Sequence, residues 1–113
     1  MKEGDIILTP MPQADGKVKN RPAIYLREMP PFRDALVCGV TGQIHQLMPD
    51  FDEVITSQDS DFLESGLVSD SLIRLGFLAV LPRRNIIGSI GSISPERHNR
   101  LLHRLSEYLI KTS

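Results

Sequence analysis

Arg21 and Thr41 are the two residues of this sequence whose types and positions best fit the binding of an anion. Arg21 lies in a basic, turn-like segment, residues 19–22, that runs directly into the apolar residues 23–26, and Thr41 follows the apolar run 35–40. A guanidinium is a planar, permanently charged fork that suits phosphate, and a threonine hydroxyl can hydrogen-bond the same group. If the two apolar runs form neighbouring strands, the sequence predicts a phosphate-binding site at one rim of the sheet.

The three histidines are weaker candidates. His98 and His103 are five residues apart on a predicted helix, which does not place them on one face, so we predict solvated or packing roles for them. His45 lies in a loop just beyond the third predicted strand. It is a candidate for contact with a substrate, against the alternative of a structural or merely exposed side chain.

Several classes of site have no support in the sequence. No spacing of Cys, His and Asp resembles a zinc site, and neither a phosphate-binding glycine loop ending in Lys-Ser/Thr nor a Gly-x-Ser-x-Gly motif is present. The single Cys38 excludes an intramolecular disulfide, and its apolar neighbours predict a buried thiol. We therefore expect no metal and no cofactor.

Length and composition indicate one domain over residues 1–113. No apolar run approaches the ~20 residues that span a bilayer, and the first residues lack the apolar core of a secretory signal. We expect a soluble cytoplasmic protein that has no membrane partner.

The charges are unevenly distributed along the chain although the net charge is only −1. Residues 34–73 carry eight acidic side chains and no Lys or Arg, whereas residues 74–113 carry seven basic side chains and two acidic ones. This segregation predicts an acidic and a basic face unless folding brings the two segments together.

The elements that must position these residues are mainly short strands. A turn at Asp15-Gly16 lies in a predicted loop, residues 13–20, and we expect Pro10 and Pro12 to end the first strand. Residues 60–65 predict a short helical turn, and residues 86–93 a less regular strand. The other strands are predicted at residues 6–8, 23–27, 35–40, 51–56 (more exposed) and 71–81 (as one strand or two).

A C-terminal helix is the clearest element of the sequence. Ser94 is a good N-cap and Pro95 suits the first helical position. Apolar residues then repeat at helical spacing: Leu101, Leu102, Leu105, Tyr108 and Leu109. Several short strands and one terminal amphipathic helix predict a mainly β fold with α, a small β-barrel capped by the helix.

Five motifs in order make the chain resemble the MazF/PemK (Kid-type) family of toxin ribonucleases, and the resemblance covers nearly the whole sequence. They correspond to the opening strand, the Arg-Pro strand, the segment after the third strand, the stretch before the late strand and the start of the last helix. The motifs are Gly4-Asp5-Ile6-Ile7, Arg21-Pro22-Ala23-Ile24-Tyr25-Leu26, Val40-Thr41-Gly42-Gln43, Gly66-Leu67 with Ser71-Leu72-Ile73-Arg74, and Ile90-Gly91-Ser92-Ile93-Ser94.

The resemblance implies an SH3-like barrel, a homodimer and a cognate antitoxin of a type II toxin–antitoxin system. It also implies metal-independent, sequence-specific cleavage of single-stranded RNA that leaves a 2′,3′-cyclic phosphate. Arg21 and Thr41 match the family's catalytic positions. The candidates for RNA binding are Lys17, Lys19, Gln43, His45 and Arg74. The candidates for the proton acceptor are Asp15 and His45.

Two alternatives from other functional classes stay open. One is a catalytically silent binding module of the same fold. The other is a poison of gyrase that resembles CcdB, which shares the barrel but acts on a protein.

Overall fold

In the part of the chain that the structure describes, six antiparallel strands form one curled sheet, and a long helix packs across one of its faces. The computed structural model describes residues 1–12 and 14–112. Within them the elements are β1 (Asp5–Pro12), β2 (Val18–Met29), β3 (Asp34–Thr41), β4 (Glu53–Ile55), α1 (Phe62–Ser65), β5 (Ser71–Leu81), β6 (Gly88–Ser92) and α2 (Pro95–Ile110), with short 3₁₀ helices at Ile44–Gln46 and Arg83–Asn85.

The strand order in the described sheet is β4-β5-β3-β2-β1-β6, and every neighbouring pair is antiparallel. The sheet curls into a half-barrel. The prediction of a mainly β fold with a C-terminal helix is therefore confirmed. None of the helices in the described chain combines the length and the apolar composition needed to cross a bilayer.

The expectation that Pro10 and Pro12 end the first strand is wrong for Pro10, whereas Pro12 is the last residue of the strand. β1 runs through Pro10 and pairs with β2, which itself begins earlier than predicted, at Val18. The reason is that β6 pairs with β1 only as far as Leu8, so the later residues of β1 lie at a sheet edge, where proline is tolerated. The described part of the predicted loop shrinks to a turn at residues 14–17, and Gln13 lies outside the described residues.

Alternate residues of the central strands contribute to two apolar clusters on opposite faces of the sheet. Ile6 and Ile24 belong to the cluster under α2, while their neighbours Ile7 and Tyr25 belong to the other. Cys38 is buried in the first cluster, as predicted, and burial raises the pKa of its thiol to about 12. This thiol is therefore protonated at neutral pH and packs as an apolar side chain.

The start of α2 is confirmed in detail, whereas its last turn differs from the prediction. The Ser94 hydroxyl accepts a hydrogen bond from the Arg97 N–H at 3.1 Å, and Pro95 is the first helical residue. Leu101 and Leu105 are buried against the sheet, but Tyr108 and Leu109 are exposed. The apolar stripe thus extends beyond the core that the helix covers.

The acidic middle and the basic C-terminus of the chain meet in a buried cluster around Arg97. Its guanidinium pairs with Glu53 at 2.8 Å, Asp61 at 2.8 Å and Asp59 at 3.2 Å, although Arg97 is only 6% exposed. Arg100 adds a second contact to Glu53 at 2.7 Å. Part of the segregated charge therefore binds α2 to the segment that contains β4 and the start of α1.

The same cluster explains why β4 is not the exposed strand that the sequence predicted. β4 has three residues, and both Glu53 and Ile55 are buried. Burial alone would raise the pKa of Asp61, but the hydrogen bond from Arg97, the Ser94 N–H and the Arg97 charge outweigh it and hold that pKa below its usual value. The charges of this cluster are thus maintained by their mutual contacts.

We expect Gly91→Ala to destabilise the fold by about 1–3 kcal/mol, the usual cost of overpacking. α1 packs on β6 so closely that a Cβ at Gly91 would overlap the carbonyl groups of Glu64 and Ser65. Gly88→Ala, in the same strand, is the matched control, because nothing lies within 4 Å of a Cβ built at Gly88. Urea unfolding measures both variants, and equal midpoints would contradict the tight packing.

Candidate functional site

A cleft of about 290 Å³ opens where the ends of three strands meet. It lies on the part of the sheet formed by the late residues of β1, the early residues of β2 and the end of β3, with β5 alongside. Its lining residues are Met11, Ala14, Arg21, Pro22, Gly39, Val40, Thr41, Gln43, Arg74 and Phe77. Arg21, Thr41, Gln43 and Arg74 are thus brought together in one site.

Strand pairing places Arg21 and Thr41 on the same rim. β2 and β3 are antiparallel, with Ala23 opposite Gly39, so residues that precede Ala23 lie beside residues that follow Gly39. Arg21 is exposed at the start of this region, and Thr41 is half-buried at the last position of β3. The shared rim that the sequence predicted for these two residues therefore exists in the fold.

The hydroxyl of Thr41 is oriented by the backbone that follows it. The Gln43 N–H donates a hydrogen bond to Thr41 Oγ1 at 3.2 Å, a contact that forms a local turn. The hydroxyl keeps its own proton for donation to a ligand. Gln43 is exposed and lines the same cleft.

Arg74 and Phe77 reach the cleft because β5 is irregular beside β3. Cys38 pairs with Leu78 but the next residue, Gly39, pairs with Arg74, so residues 75–77 are extra on the β5 side. The Leu75 N–H donates to the buried Asp52 carboxylate at 3.0 Å. A bulge of this kind redirects side chains and is common beside functional sites.

The other residues proposed from the sequence do not line the cleft. Lys17 and Asp15 share the turn before β2, where Asp15 Oδ1 accepts from the Lys17 N–H at 2.9 Å. Lys19 lies exposed opposite Met11, and His45 is exposed on the 3₁₀ helix that follows Gln43. Lys19 therefore lies next to the cleft on its β2 side, whereas Lys17 lies in the turn before that strand.

The cleft has the electrostatics of an anion site. Its charged lining residues are the guanidinium groups of Arg21 and Arg74, and none of the described lining residues carries a carboxylate or an imidazole. Among residues 1–12 and 14–112, no three His, Cys, Asp or Glu side chains lie close enough together to hold a metal ion. The chemistry available at the cleft is charge stabilisation and hydrogen bonding.

A second, larger groove of about 1220 Å³ lies next to the cleft. It runs between the loop at residues 46–52, β5 and residues 107–112, and Arg74 lines both spaces. The rings of Phe51 and Tyr108 pack there with their centroids 4.9 Å apart. The sequence analysis predicted neither this groove nor a role for Phe77. The signal that could have indicated Phe77 is an aromatic residue next to Gly76 within an apolar run.

Comparison with protein-family models and with curated proteins yields no relative from which a function could be transferred. No protein-family model matches the chain, and no curated protein matches it significantly. Function therefore has to be inferred from the cleft and from the residues that line it.

Proposed function

We propose that this chain is a toxin of the MazF/PemK type, an SH3-like barrel that cleaves single-stranded RNA. The observation that carries the proposal is the meeting of Arg21, Thr41 and Arg74 in one positively charged cleft. Two guanidinium groups and one hydroxyl form a set of donors that suits a phosphodiester. The resemblance of the sequence motifs to this family supplies the RNA substrate and the reaction.

The dimensions of the cleft favour a single-stranded substrate. At about 290 Å³ it lies at the lower end of the volumes typical of small-molecule sites, roughly 300–1,000 Å³. Such a space admits one nucleotide unit with its base unstacked. Unpaired bases are the parts of RNA that proteins usually read, whereas a paired helix keeps its bases stacked inside.

In the proposed reaction the ribose 2′-hydroxyl attacks the adjacent phosphorus. A bond forms between the 2′-oxygen and phosphorus, the bond from phosphorus to the 5′-oxygen breaks, and the products are a 2′,3′-cyclic phosphate and a 5′-hydroxyl. Arg21 stabilises the charge that grows on the non-bridging oxygens, and Arg74 shares this role from β5. Thr41 donates a hydrogen bond from its hydroxyl and so positions the phosphate.

The proton of the 2′-hydroxyl needs an acceptor, and the 5′-oxygen needs a donor. Arginine is a poor base because its pKa exceeds ~12. Asp15 adjoins Ala14, and His45 lies two residues beyond Gln43, so each is close in sequence to a residue that lines the cleft. We assign the acceptor to one of these two side chains, and the departing 5′-oxygen takes its proton from solvent water.

A second candidate function is a catalytically silent RNA-binding module. It is favoured by one specific feature, which is that the described lining residues include no carboxylate and no imidazole. Such a module would retain phosphate binding at Arg21 and Arg74 without a group for proton transfer. The two functions differ in one measurable respect, since the module binds RNA and leaves it intact.

The proposed activity is tested by incubating the purified protein with a long single-stranded RNA and, separately, with the same RNA annealed to its complement. We expect discrete fragments from the single strand and none from the duplex. A single strand that is bound but stays whole would favour the silent module. Cleavage of both substrates would contradict the role of an unpaired base.

We further propose that the protein is a homodimer, because the groove carries exposed apolar side chains at Leu78, Tyr108, Leu109 and Ile110 that a second copy would cover. An interface between identical copies is self-complementary about a two-fold axis. We expect light scattering to give twice the 12.7 kDa of one chain. A mass of one chain at micromolar concentration would contradict the dimer.

The antitoxin partner is proposed to be a disordered segment with acidic and apolar residues that folds as it binds. Its acidic groups would meet Arg21 and Arg74 in the cleft. Co-purification with such a partner should abolish RNA cleavage, and undiminished cleavage by the complex would contradict the assignment.

A further inference from the structure

Phe77 is the one aromatic residue among the described residues that line the cleft, and it is 45% exposed. Leu75, two residues earlier in the same strand, is fully buried. Removal of apolar surface from water lowers the free energy. A ligand that covers this half-exposed ring at the wall of the cleft is therefore bound more tightly.

The position of the ring is fixed from two sides. The Asp52 carboxylate, itself buried, holds the Leu75 N–H at 3.0 Å and thereby supports the bulge that carries Phe77. On the other side the ring lies on Gly39, where an added Cβ would be 3.0 Å from Phe77 Cδ1. A side chain at position 39 would crowd the ring, so the absence of one at Gly39 provides the space in which the ring lies.

Arg74 completes the arrangement. Its Cζ atom lies 6.0 Å from the centroid of the Phe77 ring, which brings a guanidinium beside the aromatic face. Aromatic rings and guanidinium groups are the two surfaces on which proteins stack unpaired bases. The same guanidinium lies in the cleft with Arg21, so a stacked base would be next to bound phosphate.

We propose that Phe77 and Arg74 form a stacking subsite for one unpaired nucleobase of the bound RNA strand. The inference rests on the proposed function, which explains how the phosphate is bound, and it adds how the cleft binds the base of the same strand. A phenyl ring has no hydrogen-bonding groups, so this subsite accepts any base by its π-face. Gln43 is exposed and lines the same cleft, and its side-chain amide is the group we assign to the polar edge of the base.

The test is equilibrium binding of fluorescently labelled 2′-fluoro RNA, which lacks the attacking hydroxyl and is not cleaved. We expect Phe77→Leu to weaken binding by about tenfold to a hundredfold, in line with the loss of one base–aromatic stack. Phe77→Trp should retain affinity. Phe32→Leu is the matched control, because Phe32 is 80% exposed on the turn between β2 and β3 and lines neither the cleft nor the groove.

A second experiment changes the ligand and leaves the protein intact: the bases are removed and the Phe77 ring is kept. A sugar–phosphate strand of equal length without bases should bind the wild type more weakly than 2′-fluoro RNA does. Phe77→Leu should lose most of this preference, because the missing base and the missing ring belong to one interaction. Equal preference in the two proteins would overturn the stacking subsite.

The outcomes separate the subsite from the proposed function. If the wild type binds RNA and Phe77→Leu binds it equally well, the stacking subsite is wrong and the RNA function stands. If the wild type binds no RNA, the proposed function fails and the subsite fails with it. If weaker binding by Phe77→Leu accompanies a change in mass by light scattering, the ring belongs to an interface between copies and the subsite is overturned.

Discussion

Arg21→Ala is expected to slow single-turnover RNA cleavage by about 10²–10³-fold, the usual effect of removing one fixed donor to a developing oxyanion. Arg21 lies on the rim of the cleft beside Thr41, where a phosphate held by both strands would be in reach of its guanidinium. Arg21→Lys should recover only part of the rate, because an ammonium group lacks the planar fork. Saturating protein isolates the chemical step in this measurement.

Controls distinguish catalysis from general attraction to RNA. Arg27 lies on the same strand, is exposed and pairs with Glu3, so Arg27→Ala should cleave at the wild-type rate. Lys19→Ala should weaken binding and reduce the salt slope by about 0.7, as expected for one contact to a single strand, with little effect on the saturated rate. A folded Arg21→Ala that cleaves like the wild type would favour the silent binding module.

Arg97→Met is expected to destabilise the fold by about 3–5 kcal/mol, because it leaves buried carboxylates without their partner. Arg97 contacts Glu53, Asp59 and Asp61, and Glu53 and Asp61 are themselves buried. Urea unfolding at neutral pH measures the difference. Arg100→Met is the matched control, since Arg100 is more exposed and should cost only about 0–1 kcal/mol.

The stability difference between wild type and Arg97→Met should shrink in acid. Asp61 has a lowered pKa in the fold, so its contribution is present above the ordinary aspartate pKa of about 3.9 and is lost as the pH falls through the lower folded value. The variant lacks the contact that lowers this pKa, and protonation relieves its buried charge. A difference that stays constant from neutral pH to acid would contradict this explanation.

The parts of the fold that follow from local sequence were predictable. The N-cap at Ser94 with Pro95 after it defines the start of α2 through contacts within one turn. The apolar run 35–40 predicts a central strand, and the pairing of this strand with β2 is enough to bring Arg21 and Thr41 to one rim. Neighbouring strands in the chain commonly pair, which made this part of the site accessible to prediction.

The parts that depend on distant contacts were not predictable. β1 continues through Pro10 because β6 stops pairing with β1 at Leu8. The end of this pairing is decided by residues near Gly88, far from Pro10 in sequence. Phe77 lines the cleft because the Asp52 carboxylate takes the Leu75 N–H and the ring finds space over Gly39. Each of these outcomes depends on a contact between segments that are far apart in sequence.

The exposure of Tyr108 and Leu109 also depends on segments that are distant in sequence. Periodicity places both residues on the stripe of Leu101 and Leu105, and the stripe itself is present. How far the sheet extends beneath the helix decides which of these side chains are buried, and the sheet is built from other segments. Periodicity predicts the face of a helix and leaves the length of its buried part open.

The most direct measurement of the central proposal is the identification of product ends after the wild-type protein cleaves a long single-stranded RNA in EDTA. The proposed mechanism predicts breaks after a short recurring sequence, with a 2′,3′-cyclic phosphate on one fragment and a 5′-hydroxyl on the next, and a much weaker pattern for Arg21→Ala. Fragments that carry 5′-phosphates, or breaks that Arg21→Ala leaves unchanged, would contradict the attack of the 2′-hydroxyl at the Arg21 cleft.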